Sequence, residues 1–219
     1  MRKFLTLISA AALLTTPAIA QARGFDSNFS QNVTGPFKLE VVVSEDLAHR
    51  ANNLPEKLSD RASGRRLNAS FANNGNFGDR AIEFLLDDME REITEDFAKR
   101  GLTLSDTAPT LLRVTINEVR PNRPTHNQLS EDVSLSFQSF GIGGADVSAE
   151  IITNSGAVIG TADYDYYSNF NNNINLSSSS TWFDTSRAFS KFSRILTKKL
   201  AAMNPVSYTH LTLPTIYSV

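Results

Sequence analysis

Cysteine is absent from all 219 residues, so no disulfide, thiolate metal site or cysteine nucleophile is available to this chain. The same absence removes the lipid-bearing cysteine on which a bacterial lipoprotein is anchored. Histidine is almost as scarce, with His49, His126 and His210 the whole supply. None of them falls in an H-x-x-x-H or H-E-x-x-H pattern, and no G-x-S-x-G occurs, so neither a helical metal site nor a nucleophile elbow is spelled out. No residue pattern calls for a cofactor. Beyond the N-terminal segment no apolar run approaches the ~20 residues of a membrane span, and none is expected. A dominant charge is missing too: 21 basic residues stand against 23 acidic ones, a formal net charge of -2. That balance leaves no electrostatic footprint for nucleic acid or anionic lipid.

What the chain does have, first of all, is an address. Arg2 and Lys3 precede an apolar run from Phe4 to Leu14, and Ala18-Ile19-Ala20 and Ala20-Gln21-Ala22 offer small-residue cleavage sites. Residues 1–22 therefore read as a secretory signal peptide, which places the mature protein in the periplasm or, alternatively, in the medium. Once Arg2 and Lys3 leave with that segment, 19 basic residues face 23 acidic ones, a net charge of -4. At the other end, Pro205 to Thr215, opening Pro205-Val206-Ser207-Tyr208-Thr209-His210, match codon for codon a translated sequencing adapter, and residues 205–219 are read as an artefact tail. Residues 23–36, polar and rich in Asn, Ser and Gln, read as a flexible leader. Residues 37–204 then form one domain, long enough to bury a sizeable core without staples.

Periodicity gives that domain its elements. Phe37, Leu39, Val41 and Val43 alternate with Lys38, Glu40 and Val42 as a strand, and Ser44 is placed to cap a short helix through Leu47 and Ala48. Residues 52–76 read as a long irregular connection, with a short edge strand at Leu67, Ala69 and Phe71. After Gly78, Ile82, Leu86, Met89, Ile93 and Phe97 recur at spacings of three and four, predicting a long helix that Gly101 closes. Leu112, Val114 and Ile116 predict a second strand ending at Pro121. A third is expected from Val133, Leu135 and Phe137 through Val147, Ala149 and Ile151, interrupted by a bulge at Gly141-Ile142-Gly143-Gly144. Asn154-Ser155-Gly156 turns into a fourth strand with Val158, Ala162, Tyr164 and Tyr166 on one face, and residues 168–180 form a polar loop. Thr181 and Asp184 have capping-box spacing before a second long helix carrying Phe189, Phe192, Leu196 and Leu200. The expected fold is α+β: a four-stranded, mostly antiparallel sheet with two long helices on one face, in the order strand, helix, three strands, helix.

Candidate binding residues come from charge and aromaticity at the ends of these elements. Arg120 and Arg123 flank the end of the second strand, with Arg61, Arg65 and Arg66 in the long connection as further members of a basic patch suited to carboxylates or an anionic glycan. His126 sits in the following loop. Tyr164, Tyr166 and Trp182 form an aromatic group beside the polar loop, of the kind that recognises a polymer or a protein. Surface balance and core packing are the plainer account of these residue types at these places, with binding as the functional reading set beside it.

The element order, the aliphatic first strand and the run from Val147-Ser148-Ala149-Glu150-Ile151 through Asn154-Ser155-Gly156 to Val158-Ile159-Gly160 resemble a broad bacterial group. These are the small periplasmic α/β domains of transport-auxiliary and lipopolysaccharide-assembly lipoproteins. The resemblance implies support of envelope assembly or transport without catalysis, although this chain lacks the anchor cysteine of many members. The expectation is a non-enzymatic protein that binds an envelope protein or glycan through a sheet edge and the loops at residues 120–130 and 168–180. A cell-envelope hydrolase using His49 or His126, or a small-ligand carrier with a pocket between helices and sheet, are the alternatives. Sequence does not specify the oligomeric state.

Overall fold

In the computed structural model, residues 24–29, 33, 35–54, 70–168 and 180–203 are described. Residues 1–22, read above as a signal peptide, Arg61, Arg65, Arg66, the Leu67 and Ala69 part of the expected edge strand, most of the expected polar loop and residues 204–219 lie outside them.

The elements in chain order are β1 (Phe25–Phe29), β2 (Phe37–Val43), α1 (Glu45–Arg50), α2 (Asp79–Lys99), β3 (Thr110–Arg120), α3 (His126–Glu131), β4 (Gly144–Ile152), β5 (Val158–Tyr167) and α4 (Phe183–Met203). They form an α+β fold whose single sheet runs β1-β5-β4-β3-β2. The sheet has five strands and is mixed, where four mostly antiparallel strands are expected from sequence. Two physical reasons explain the difference. Phe25 and Phe29, inside the stretch read as a leader, alternate with polar residues, and pairing β1 antiparallel to β5 places the Phe25 ring 6.3 Å from Tyr164 and 6.0 Å from Phe192. Two isolated aromatics suffice to attach a short edge strand. The connection from β2 to β3 passes through α2, and so long a crossover brings β3 back parallel to β2.

Two further expectations are corrected. Residues 133–137 form no strand: Val133 is fully exposed and Phe137 is 72% exposed, and this part of the chain is α3 followed by turns. The alternation there lacks a partner strand, and β4 starts only at Gly144. The register shifts lie in the β3–β4 ladder between Ile116 and Glu118 and in the β4–β5 ladder between Ile151 and Ile152 rather than at the glycines. Phe71, expected on an edge strand, is instead buried in a single 3-10 turn, Ser70–Ala72.

The core lies between the sheet and the two long helices. α2 contributes Ile82, Leu85, Met89, Ile93 and Phe97, and α4 contributes Ala188, Phe189, Phe192, Leu196 and Leu200. They meet Leu112, Val114, Ile116, Val147, Ala149, Ile151, Ala162 and Tyr164 from the inward face of β3, β4 and β5. Each fully buried Leu, Ile or Phe in that layer contributes about 1.5–3 kcal/mol of burial energy. Phe37 closes one end against Phe97, ring to ring at 5.7 Å and nearly perpendicular. Polar links tie the helices together: Ser193 Oγ donates to the Glu92 carbonyl at 2.9 Å and Arg100 Nε to Thr197 Oγ1 at 3.0 Å. α2 ends as its sequence predicts, with Gly101 at φ 68° and Leu102 N–H reaching back to the Phe97 carbonyl at 3.0 Å. Among the described residues no helix is long and apolar enough to cross a membrane.

Candidate functional site

Three helix N-termini, those of α2, α3 and α4, converge at one end of the molecule, and each is held by a different device. α3 carries a capping box: Gln128 N–H donates to Thr125 Oγ1 at 3.3 Å, and Thr125 N–H donates to Gln128 Oε1 at 3.0 Å. The Gln128 amide is buried and donates from Nε2 to the carbonyls of Phe71, Asn74 and Gly75 at 2.9, 3.3 and 3.0 Å. One side chain thus fastens α3 to the segment that leads into α2.

α4 is capped from a distance. Asn122 Oδ1 accepts from Asp184 N–H at 2.8 Å while Asn122 Nδ2 donates to Asp184 Oδ2 at 2.6 Å, both residues buried. The sequence spacing of Thr181 and Asp184 suggests a local box, but Asp184 is satisfied instead by the end of β3. Gly143 packs against the Asn122 side chain with no room for a Cβ, which explains a glycine at that place. α2 has no side-chain cap at all. Its N-cap is Gly78, at φ 86°, held by its own N–H to the Ala51 carbonyl at 2.7 Å.

Between these ends lies a groove of about 560 Å³. Phe77, Phe84 and Trp182 supply its aromatic lining, and Asn52, Asp79, Arg80, His126 and Asn127 are among its polar residues. Phe77 and Trp182 are buried and meet edge to face at 5.7 Å, whereas Phe84 is 48% exposed. Arg50 stacks beneath this layer, its guanidinium carbon 5.7 Å from the Phe77 ring centre. Asn52 Nδ2 donates to Asp79 Oδ1 at 2.7 Å and so fixes one rim carboxylate. On the outer side, the Phe137 ring meets His126 edge-on at 6.1 Å. A smaller hollow of about 330 Å³, bounded in part by Leu54, Phe71 and Leu135, adjoins the same Gln128 bridge.

Of the sequence candidates among the described residues, His126 and Trp182 meet in this groove and Arg120, Arg123, Tyr164 and Tyr166 do not, while Arg61, Arg65 and Arg66 lie outside the described residues. Arg120 pairs with Glu118 at 2.8 Å and stacks 4.3 Å over Tyr167. Burial raises the Tyr167 phenol well above its ordinary value, with Glu118 adding to the shift. Arg123 is tied to the carbonyls of Gln138 and Ser139 and lies 5.3 Å over Phe140. Tyr164 belongs to the core against Phe25 and Phe192, and burial pushes its hydroxyl up to about 12. Tyr166 is half-buried, stacked on Tyr164 at 6.5 Å, with Lys191 Nζ 4.0 Å over its ring. The cation is partly desolvated there, which lowers the Lys191 pKa.

Sequence reasoning missed Phe84, Asn52 and Asn127. The signal for Phe84 was present: it lies off the apolar stripe of α2, and a large aromatic on the polar side of a helix needs a reason. Among the described residues no group of three or more His, Asp or Glu side chains is arranged to hold a metal ion.

No protein-family model and no curated protein matches the chain. Among solved structures it is similar to the PelC dodecamer from Paraburkholderia phytofirmans, at 14% identity and a TM-score of 0.37, covering 78% of this chain and 96% of that one. A point variant of the same dodecamer gives 14% identity and a TM-score of 0.35, covering 80% and 96%. A likeness this distant assigns neither family nor activity.

Proposed function

We propose that this is a non-enzymatic periplasmic protein that docks an envelope partner at the groove end of the molecule, in support of assembly or transport. The observation that carries the reading is the placement of exposed aromatics at one preformed groove: Phe84 inside it, and Phe137 against the lining residue His126. Large apolar side chains left in water on a folded domain mark a contact surface when they gather around a concavity rather than scatter. The rigid bridges of Gln128 and Asn122 hold that surface in shape before any partner arrives, which lowers the ordering cost of binding. Export through the signal peptide supplies the compartment. A sheet edge adds a second mode of contact: β2 borders the sheet, and beyond Phe37, which already pairs with the segment at Leu104, main-chain pairing along it suits a partner strand.

The test is retention. Immobilised wild-type protein and a Phe84→Asp, Phe137→Asp double variant are exposed to detergent-solubilised envelope extract from the same bacterium. The account predicts a component retained by wild type and lost from the variant. Equal retention by both, with both folded, contradicts docking at this end. For the hydrolase alternative, a double His49→Ala, His126→Ala variant that complements a deletion strain fully would remove it.

A further inference from the structure

We infer that the groove between the N-terminal ends of α2, α3 and α4 binds an uncharged saccharide of about disaccharide size. The inference rests on the docking reading above and names the chemistry of what enters the groove. Its volume of about 560 Å³ lies within the ~300–1,000 Å³ of small-molecule sites. The lining has two characters that correspond to the two sides of a sugar ring. A pyranose presents an apolar C–H face and a rim of hydroxyls that both donate and accept. Phe84 offers a half-exposed ring inside the groove for the first, and the buried Phe77 and Trp182 line the same groove. Asn127, whose amide also both donates and accepts, stands in the groove for the second, and Asn52, its Nδ2 already given to Asp79 Oδ1 at 2.7 Å, adds an acceptor oxygen.

Charge and preorganisation narrow the class further. Asp79 and Arg80 are adjacent on the rim and opposite in sign, so the groove favours neither an anion nor a cation over a neutral ligand. A purely apolar occupant would bury this rim without replacing its hydrogen bonds to water, at a cost of roughly 1–3 kcal/mol per group. A Cβ at Gly78 would sit 2.9 Å from the Asn127 amide, so glycine is what allows Asn127 to rest over the helix start. The polar side of the site is therefore set before binding.

Trp182 is the single tryptophan of the chain and lies in the groove, which supplies a direct readout. Cellobiose and N,N′-diacetylchitobiose are titrated into the purified protein while Trp182 fluorescence is followed. The expected result is a saturable change with at least one sugar at a Kd of about 1 mM or below. It should weaken tenfold or more in Phe84→Leu, which keeps the bulk but loses the aromatic face, and in Asn127→Ala. Wild-type melting curves for both variants separate loss of binding from loss of fold. No saturable change up to about 50 mM, or a change that neither variant alters, overturns the saccharide assignment. If Phe84→Asp, Phe137→Asp still abolishes retention of a protein that carries no glycan, the docking reading stands and the saccharide inference alone falls.

Discussion

Asp146 shows how a single side chain on the uncovered face of the sheet carries a pH signature. Burial raises its pKa, and Glu118, Asp165 and Asp163 add to that rise against the opposing hydrogen bond from Asn117 Nδ2 at 3.0 Å. A carboxyl whose folded pKa lies above its unfolded value favours folding while protonated. Its contribution is fully present below the ordinary carboxylate value and is lost as pH rises through the folded one. Asp146→Asn keeps an acceptor for Asn117 without the charge. We expect its melting temperature at pH 7 to exceed wild type by about 2 °C, the gap closing toward pH 3, as thermal scans across pH would register. Gly78 is a second residue on which much depends. Gly78→Ala forces φ 86° on a residue with a Cβ and pushes that Cβ into Asn127. Urea unfolding should show a loss of about 2 kcal/mol. The Gly78→Ala, Asn127→Gly double variant should regain the steric part and not the backbone part, so full recovery would refute the strain.

At the level of elements, the groove depends on two amides beside α3, Gln128 and Asn122, that reach partners far from them in sequence. Removing the Gln128 side chain leaves three carbonyls without its donor and dissolves the capping box of α3. Gln128→Ala is expected to cost about 2–4 kcal/mol. Hydrogen exchange should show lost protection at Asn76 and Gly78 while the α2 and α4 amides stay slow. Uniform loss across the whole chain would mean that the bridge is not local. Long elements such as α2 and α4 were legible because an apolar stripe repeats over many turns and both helices bury it in the same core. Short or distant devices were not. β1 rests on Phe25 and Phe29 amid polar residues, and the cap of α4 comes from Asn122, 62 residues earlier, so neither leaves a periodic trace. The strand expected at Val133 to Phe137 is the opposite case, a local alternation with no neighbour to pair with.

Across the whole molecule, sequence anticipated the layering of two long helices on one sheet, and the core bears the stability. Phe192 touches both Phe25 and Tyr164, so Phe192→Ala should lower stability by about 3–5 kcal/mol and release β1 first, which proteolysis near the N-terminus would detect. The site was less legible than the fold. His126 and Trp182 were named from residue type alone, but what unites them with Phe84 and Asn127 is the meeting of three helix ends, a property of the tertiary arrangement that no local spacing encodes. The most direct test of the account is photo-crosslinking in living cells from a benzophenone amino acid placed at Phe84, with Lys198, exposed in the last turns of α4, as the control position. The account predicts one discrete envelope adduct from position 84 and none from position 198. A folded, exported protein that gives no adduct at 84, or the same adduct from both positions, would contradict it.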